Sequence, residues 1–400
     1  MNALPNGSDH TSLRVLHVLR HPMGGLFRHV CDLIEGQQEA GIMTGVVCGE
    51  PPAGNTVSRA MIERLECHCG LGLHVVPMGR LPGVGDVRAL QRIGQLVERL
   101  QPDILHGHGA KGGAYARLLP RRHDAVRIYT PHGGALHYST MSPAGAVFLG
   151  MERLLMSRTD GFIFESGFSR RTYEEKIGKP SSEVVVIPNG VRPDEFAPVS
   201  ADDNAADFIF VGELRTLKGI SVLIEALAAM KSEATLAIVG SGPDEAEFRA
   251  QADRSTAKDR ISFLGAMPAR EAFRRGRVVV MPSLAESLPY VALETIAAGK
   301  PFIASGVGAM PEVFGPDALA LIQPGNPRSL RSALEAALVR PERLSDQAQR
   351  LRERVRTHFS TARMVGDVIE FYERLAPRKL VGCLVDAVGV PSLPEPSVRN

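Results

Sequence analysis

From Leu13 onward, short runs rich in β-branched residues alternate with longer stretches of helical periodicity, the signature of a parallel sheet covered by helices on both faces. LRVLHVL (13–19), TGVVC (44–48), LHVVP (73–77), DILHGH (103–108), VRIYT (126–130), GFIFES (161–166) and EVVVIP (183–188) read as strands of one doubly wound domain. Between the third and fourth, VGDVRALQRIGQLVERLQ (84–101) has the spacing of an amphipathic helix, with Val87, Leu90, Ile93, Val97 and Leu100 on one face. After Pro188 the chain runs through NGVRPDEFAPVSADDNAA, a stretch that punctuates rather than packs. The alternation then restarts. DFIFVG (207–212), ATLAIVG (234–240), RISFLG (260–265), RVVVMPS (277–283) and PFIAS (301–305) predict a second parallel sheet. The fold class is therefore α/β, with a first domain over 12–198 and a second over 199–358. Residues 377–400 have weak periodicity and much proline, and read as a loosely held tail.

Composition narrows the function classes. A chain of 400 residues exceeds one ordinary core, and 44% hydrophobic with 22% charged residues is the balance of a globular protein. The net charge of +2 supplies no field that would draw the chain to nucleic acid. No apolar run reaches the roughly 18 residues of a membrane span, and MNALPNGSDHTS lacks the regions of a signal peptide, so a cytoplasmic location is expected. The five cysteines (Cys31, Cys48, Cys67, Cys69, Cys383) show no paired spacing and read as reduced thiols. Cys67-His68-Cys69 has no second ligand pair at finger-like spacing, so no metal site is expected.

In open parallel sheets ligands bind beyond the carboxyl ends of the strands, and the loops there carry the candidate chemistry. PSLAESLPYVALETIAAGKPFIAS is the most informative. Pro289 suits a helix start and Gly299 a position just past a helix end, so PYVALETIAA reads as a short helix. The backbone N–H groups around Ser287 to Tyr290, those of Ser287, Leu288 and Tyr290, with the positive end of the helix dipole, suit a phosphate, and Pro289 and Val291 lie beside the same donor. Glu294 lies five residues past Pro289, roughly 7 to 8 Å along the axis. Those spacings suit a nucleotide sugar with its ribose near Glu294 and its hexose near Glu286.

The run from Pro282 to Val313 resembles the EX7E segment of family four of the retaining glycosyltransferases, the group one enzymes. Further matches extend the resemblance over residues 13–376. HPMGGLFRHVCDLIEG resembles the family's first loop, which puts Gly24 and Gly25 against the donor and His29 on the following helix. DILHGHGAKGGAYARLL and YTPHGG resemble its histidine-bearing loops, with His108, like His29, on the acceptor side and His132 at the reaction centre. FVGELRTLKGISVLIEAL resembles the loop that holds the donor diphosphate. The family's arginine position carries Glu213 here, so the phosphate role passes to Arg215 and Lys218. Gly240 in IVGSGPDEAEF and Met267 in FLGAMP match loops that border the base. GSGPDE also begins like a dinucleotide fingerprint, but it lacks the third glycine and has Pro243 in the turn.

The resemblance implies two facing Rossmann-like domains, the B-type glycosyltransferase fold, with a ligand cleft between them and a closing helix over 359–376 that crosses back to the first domain. It implies transfer of a sugar with retention, from a uridine or guanosine diphosphate sugar to a saccharide or lipid-linked acceptor, in cell-surface polysaccharide or glycolipid synthesis. No cofactor or metal is expected, since Arg215 and Lys218 stand in for the divalent ion of other nucleotide-sugar enzymes and no DxD segment occurs. Two alternatives stand beside this: a same-fold nucleotide-sugar epimerase, and a non-catalytic nucleotide-sugar binding protein. Lys111, Arg117, Arg121, Arg122 and Arg127, opposed by Asp124, with Tyr115, Leu118 and Leu119 among them, form either a solvated helix end or a basic edge for a peripheral contact with anionic membrane.

Overall fold

The computed structural model describes residues 12–51, 56–79, 83–121, 125–138 and 140–376. Among the described residues, twelve strands form two sheets, and every pairing found between them is parallel. The first sheet contains β1 (Arg14–Leu19), β2 (Met43–Cys48), β3 (Leu73–Val75), β4 (Ile104–His108), β5 (Val126–Thr130), β6 (Gly161–Phe164) and β7 (Glu183–Val186), in the order β3-β2-β1-β4-β5-β6-β7. The second contains β8 (Ala206–Val211), β9 (Leu236–Val239), β10 (Ile261–Gly265), β11 (Gly276–Met281) and β12 (Phe302–Ala304), in the order β10-β9-β8-β11-β12. The strands fall where the β-branched runs predict them, because a strand covered on both faces needs a nearly continuous apolar run. Val15, Leu16, Val18 and Leu19 of β1 and Phe208, Ile209 and Phe210 of β8 are all buried.

Each sheet has one point where the direction of winding reverses, between β1 and β4 in the first and between β8 and β11 in the second. At such a point the loops leaving adjacent strands part to opposite faces and leave a crevice. Two apolar clusters line the second sheet, one holding Ile209, Val279, Leu293 and Phe314, the other Phe208, Ile224, Ile238 and Leu334. Packing divides the described chain into two compact units. One comprises the residues up to Tyr129, Ser157–Phe162 and those from Asp367; the other is Thr130–Met156 with Ile163–Gly366. The helix Thr361–Leu375 thus contributes to both.

Two expectations need correction. The helix over 84–101 runs from Gly85 to Leu100, but Val87 is 58% exposed and the buried residues are Ala89, Ile93 and Val97. The rest of the predicted stripe holds, Leu90 and Leu100 being partly buried against the same cluster as Ile93 and Val97; Val87 stands outside it, in the first turn. The basic segment does not form an exposed edge. Arg117 is fully buried, its guanidinium 3.7 Å from the centre of the Tyr129 ring and its Nε donating to the Gly113 carbonyl at 2.9 Å. Arg127 is buried as well and donates to the carbonyls of Arg117 and Leu119. Lys111 pairs with Asp86 at 2.8 Å, and among the described basic residues of the segment only Arg121 projects, paired with Asp160. Arg122, Asp124, Cys383 and the tail 377–400 lie outside the described residues. No helix among the described residues is long and apolar enough to cross a membrane. Cys31, Cys48 and Cys69 are buried free thiols, and burial pushes Cys48 and Cys69 up to about 12.

Candidate active site

The second sheet's reversal point gathers the strongest motif residues. The loop after β8 carries Arg215 and Lys218, and the loop after β11 carries Ser283, Glu286 and Ser287. The two loops are locked together through backbone. Leu284 N–H donates to the Leu217 carbonyl at 2.8 Å. Gly219 has φ +70°, and a Cβ there would lie 2.0 Å from the Pro282 carbonyl oxygen. Only glycine meets both demands. On the other side, Gly308 has φ +59°, and a Cβ would lie 2.3 Å from the Glu286 carbonyl oxygen. Two glycines therefore clamp the backbone on which Glu286 sits.

Glu286 is buried, and its Oε1 accepts from Lys218 Nζ and from Ser283 Oγ, each at 2.7 Å. A nearly buried carboxylate is stable there because a cation and a hydroxyl satisfy it. Ser287 Oγ donates to the buried Glu165 carboxylate at 2.5 Å and meets Ser169 Oγ at 2.9 Å. The helix that follows runs Tyr290–Ala297, with Pro289 extended as its cap and Gly299 in the left-handed region at φ +71°. Tyr290 and Leu288 are buried, while Val291 and Glu294 are half-buried. The carbonyl of Leu288 accepts from Asn189 Nδ2 at 2.9 Å. Arg215 is partly exposed and faces Glu213 at 3.7 Å, so the glutamate at the unexpected position offsets the arginine's charge.

The loops after β9 and β10 complete this end of the sheet. Gly240 packs so closely that a Cβ would lie 1.8 Å from the Gly212 carbonyl oxygen. Asp244 Oδ2 accepts from both the N–H and the hydroxyl of Thr216, each at 2.7 Å, which holds its carboxyl below the usual range and fixes the turn that delivers Lys218. Met267 is half-buried after β10 and packs on the core.

At the first sheet's reversal point, Gly24 begins the helix Gly24–Glu39 with φ +67°, followed by Gly25. His29, on that helix, and His108, the last residue of β4, are both buried, with ring centres 5.8 Å apart. His132 follows β5 with φ +50°, rare for a residue with a side chain. Burial lowers its imidazole to about 3, so it is neutral near pH 7.

Sequence reasoning placed Lys218 and Glu286 in separate roles and did not anticipate that they meet. It also missed Ser283, Glu165, Ser169 and Asp244, whose partners are distant in sequence. His17 and His106 escaped notice too, although a histidine inside a run of otherwise buried residues was a usable signal.

Residues 191–379 match the family model of glycosyl transferases group 1, and residues 24–190 match that of the glycosyl transferase 4-like domain. The phosphatidyl-myo-inositol mannosyltransferase of Mycobacterium leprae is 29% identical over 79% of this chain and 84% of its own length. The putative glycosyltransferase EpsD of Bacillus subtilis is 27% identical over 74% of this chain and 83% of its own. A glycogen synthase of Mycobacterium tuberculosis is 26% identical over 65% of this chain, and the match spans 66% of that protein. Among solved structures, sucrose-phosphate synthase from Thermosynechococcus elongatus has a TM-score of 0.76 at 20% identity, covering 91% of this chain and 99% of that one. Anabaena Alr3699/HepE in complex with UDP-glucose has a TM-score of 0.75 at 17% identity, covering 90% of this chain and 100% of that one. At these identities the solved structures speak to the fold, which is the B-type, Rossmann-like glycosyltransferase architecture.

Proposed function

This chain belongs to the group 1 glycosyl transferases, and from that membership we propose that it transfers a sugar from a nucleotide diphosphate donor to a saccharide or lipid-linked acceptor with retention at the anomeric carbon. The observation that carries the reading is the Lys218–Glu286–Ser283 cluster at the second sheet's reversal point, next to the start of the helix Tyr290–Ala297. Anabaena Alr3699/HepE, a structural neighbour, binds UDP-glucose, which supports a donor of that class. In this reading the diphosphate sits against the N–H groups of Ser287, Leu288, Tyr290 and Val291 with Arg215 and Lys218 beside it, and Glu294 takes the ribose hydroxyls. Gly24, Gly25, Gly240 and Met267 border the donor. Lys218 neutralises charge as the sugar–phosphate bond breaks, which is the chief source of catalysis, and Glu286 and His132 orient the hexose.

Glu286→Ala lowers kcat with little change in donor affinity, whereas Glu294→Ala weakens donor binding. Each charged hydrogen bond contributes about 1.5–3 kcal/mol, so each loss is about tenfold or larger. Turnover of labelled UDP-glucose and GDP-mannose, as transfer or slow hydrolysis, measures both. Wild-type kinetics in both folded variants would refute the assignment, and binding without any turnover would favour a binding protein.

A further inference from the structure

The second sheet has a cavity at the end away from the donor loops. About 430 Å³ of space lies against Phe302 and Ile303, the first two residues of the edge strand β12, between the helices Pro327–Val339 and Pro341–His358. The donor loops leave the carboxyl ends of β8 and β11, so the two regions lie at opposite ends of the sheet. A volume of this size is that of a small-molecule site. The walls are largely apolar, with Ala333 and Ala337 from one helix and Leu344 from the other. One polar side chain reaches the cavity from the packed interior. Gln347 is 7% exposed and lines the cavity, and among the described residues its amide has no hydrogen-bond partner. A buried amide left unbonded is destabilising, and the cavity is where its donor and its acceptor can be met.

The mouth is charged. Arg340 and Arg343 line it, both are exposed, and among the described residues neither guanidinium has an ion pair. Arginines elsewhere on this sheet's surface are paired, as Arg350 is with Asp317 and Arg274 with Asp202. The two flank the start of the 18-residue helix Pro341–His358, which has no side-chain cap, so the helix dipole adds to their charge. Two carboxylates oppose it. Glu335 lies in the wall and faces Arg331 at 3.8 Å, and Glu342 is exposed in the helix's first turn. Arg340, Arg343, Leu344 and Gln347 recur at the spacing of one helix face, which sets the Gln347 amide roughly 6 Å along the axis from Arg343. Guanidinium groups take carboxylate or phosphate through paired hydrogen bonds. From this arrangement we infer that the cavity is a second ligand site, which takes a small organic anion. Its apolar body fills the space between the helices, its carboxylate or phosphate meets Arg340 and Arg343, and a hydroxyl further along meets Gln347. The inference does not depend on the donor reading.

A rigid probe with these three features is 6-hydroxy-2-naphthoate, and calorimetric titration of the full chain is expected to find one bound per chain. 2-Naphthol, which keeps the ring and hydroxyl but has no anion, should bind at least about tenfold more weakly, since a charged hydrogen bond is lost. The same loss is expected for the acid in the double variant Arg340→Gln/Arg343→Gln, whose side chains are exposed and can change without disturbing the core. 2-Naphthoate, which lacks the hydroxyl, should bind several-fold more weakly to the native chain, and as well as the hydroxy acid to Gln347→Met. Lys218→Met, altered on the donor loops, should keep the native affinity. Absence of binding, an unchanged affinity in the arginine variant, or a hydroxyl advantage that persists in Gln347→Met would each overturn the inference. So would loss of binding in Lys218→Met, which would put the acid on the donor loops. Should Gln347→Met not fold, the arginine variant and the comparison with 2-naphthol decide.

Discussion

At the scale of single residues, buried ionisable groups set opposite demands. Glu286 is only 9% exposed, so its carboxylate depends on Lys218 and Ser283. Lys218→Met leaves it unpaired, and the protein is expected to lose about 1–3 kcal/mol. Adding Glu286→Gln should recover part of that loss, since a neutral amide needs no counter-ion. Urea unfolding of the two single variants and the double variant measures the coupling; additive losses would mean the pair contributes nothing beyond two separate side chains. The histidines work the other way. His17 and His132 are lowered from an ordinary 6.5 to about 4 and about 3 because burial disfavours the imidazolium. Unfolded, both take protons below about pH 6.5 while the folded chain does not. Their neutral burial therefore costs nothing above pH 6.5, and stability falls as the pH drops from there toward 4 and below. His132→Asn should make the fall shallower by one proton's worth. A melting temperature flat between pH 7 and pH 4.5 would contradict this assignment.

At the scale of elements, much of the molecule was legible and some was not, for physical reasons. The strands were legible because both faces of each sheet are covered, which forces apolar runs such as those around Phe208 and Val279. The helix beginning at Tyr290 was legible from Pro289 and Gly299, residues whose backbone preferences are local. The order of the strands was not, since it is decided by packing between distant segments. For the same reason Arg117 looked like surface charge: its stacking on Tyr129 joins a helix to a strand that the sequence does not mark as neighbours. The meeting of Lys218 with Glu286 depends on the reversal between β8 and β11 and was equally hidden. The glycines now allow an element-scale test. Gly219→Ala forces a left-handed φ and a contact with the Pro282 carbonyl, so the loop carrying Glu286 must shift and donor turnover should collapse. Gly366 lies in the exposed middle of the helix Thr361–Leu375 with nothing near its Cβ. Gly366→Ala should stabilise the protein by about 0.5–1 kcal/mol with turnover unchanged. Equal activity in the two variants would show that the close packing of Gly219 on Pro282 does not matter.

At the scale of the whole molecule, the proposed donor carries two phosphates, and their charge needs a counterpart in the fold. Among the described residues, the side-chain groups spaced to hold a metal ion all include histidines at 17, 29, 106, 108 or 132, and none lies on the loops of the second sheet that carry Lys218 and Glu286. Those loops offer instead the ammonium of Lys218, the guanidinium of Arg215 and the start of the helix Tyr290–Ala297. A helix start and fixed cations stabilise phosphate without an ion. The folded chain is therefore expected to bind UDP-glucose or a related donor, and to be stabilised by it, in excess EDTA. Because only the folded state binds, a donor at about one hundred times its dissociation constant adds about 2.7 kcal/mol. For a chain of this size that is a rise of a few degrees in melting temperature, readable by calorimetry. The rise should be the same with EDTA and with magnesium, and should disappear in Lys218→Met. A donor-induced rise that needs magnesium would mean the diphosphate is carried to the site by a metal, and that Lys218 serves mainly to hold Glu286.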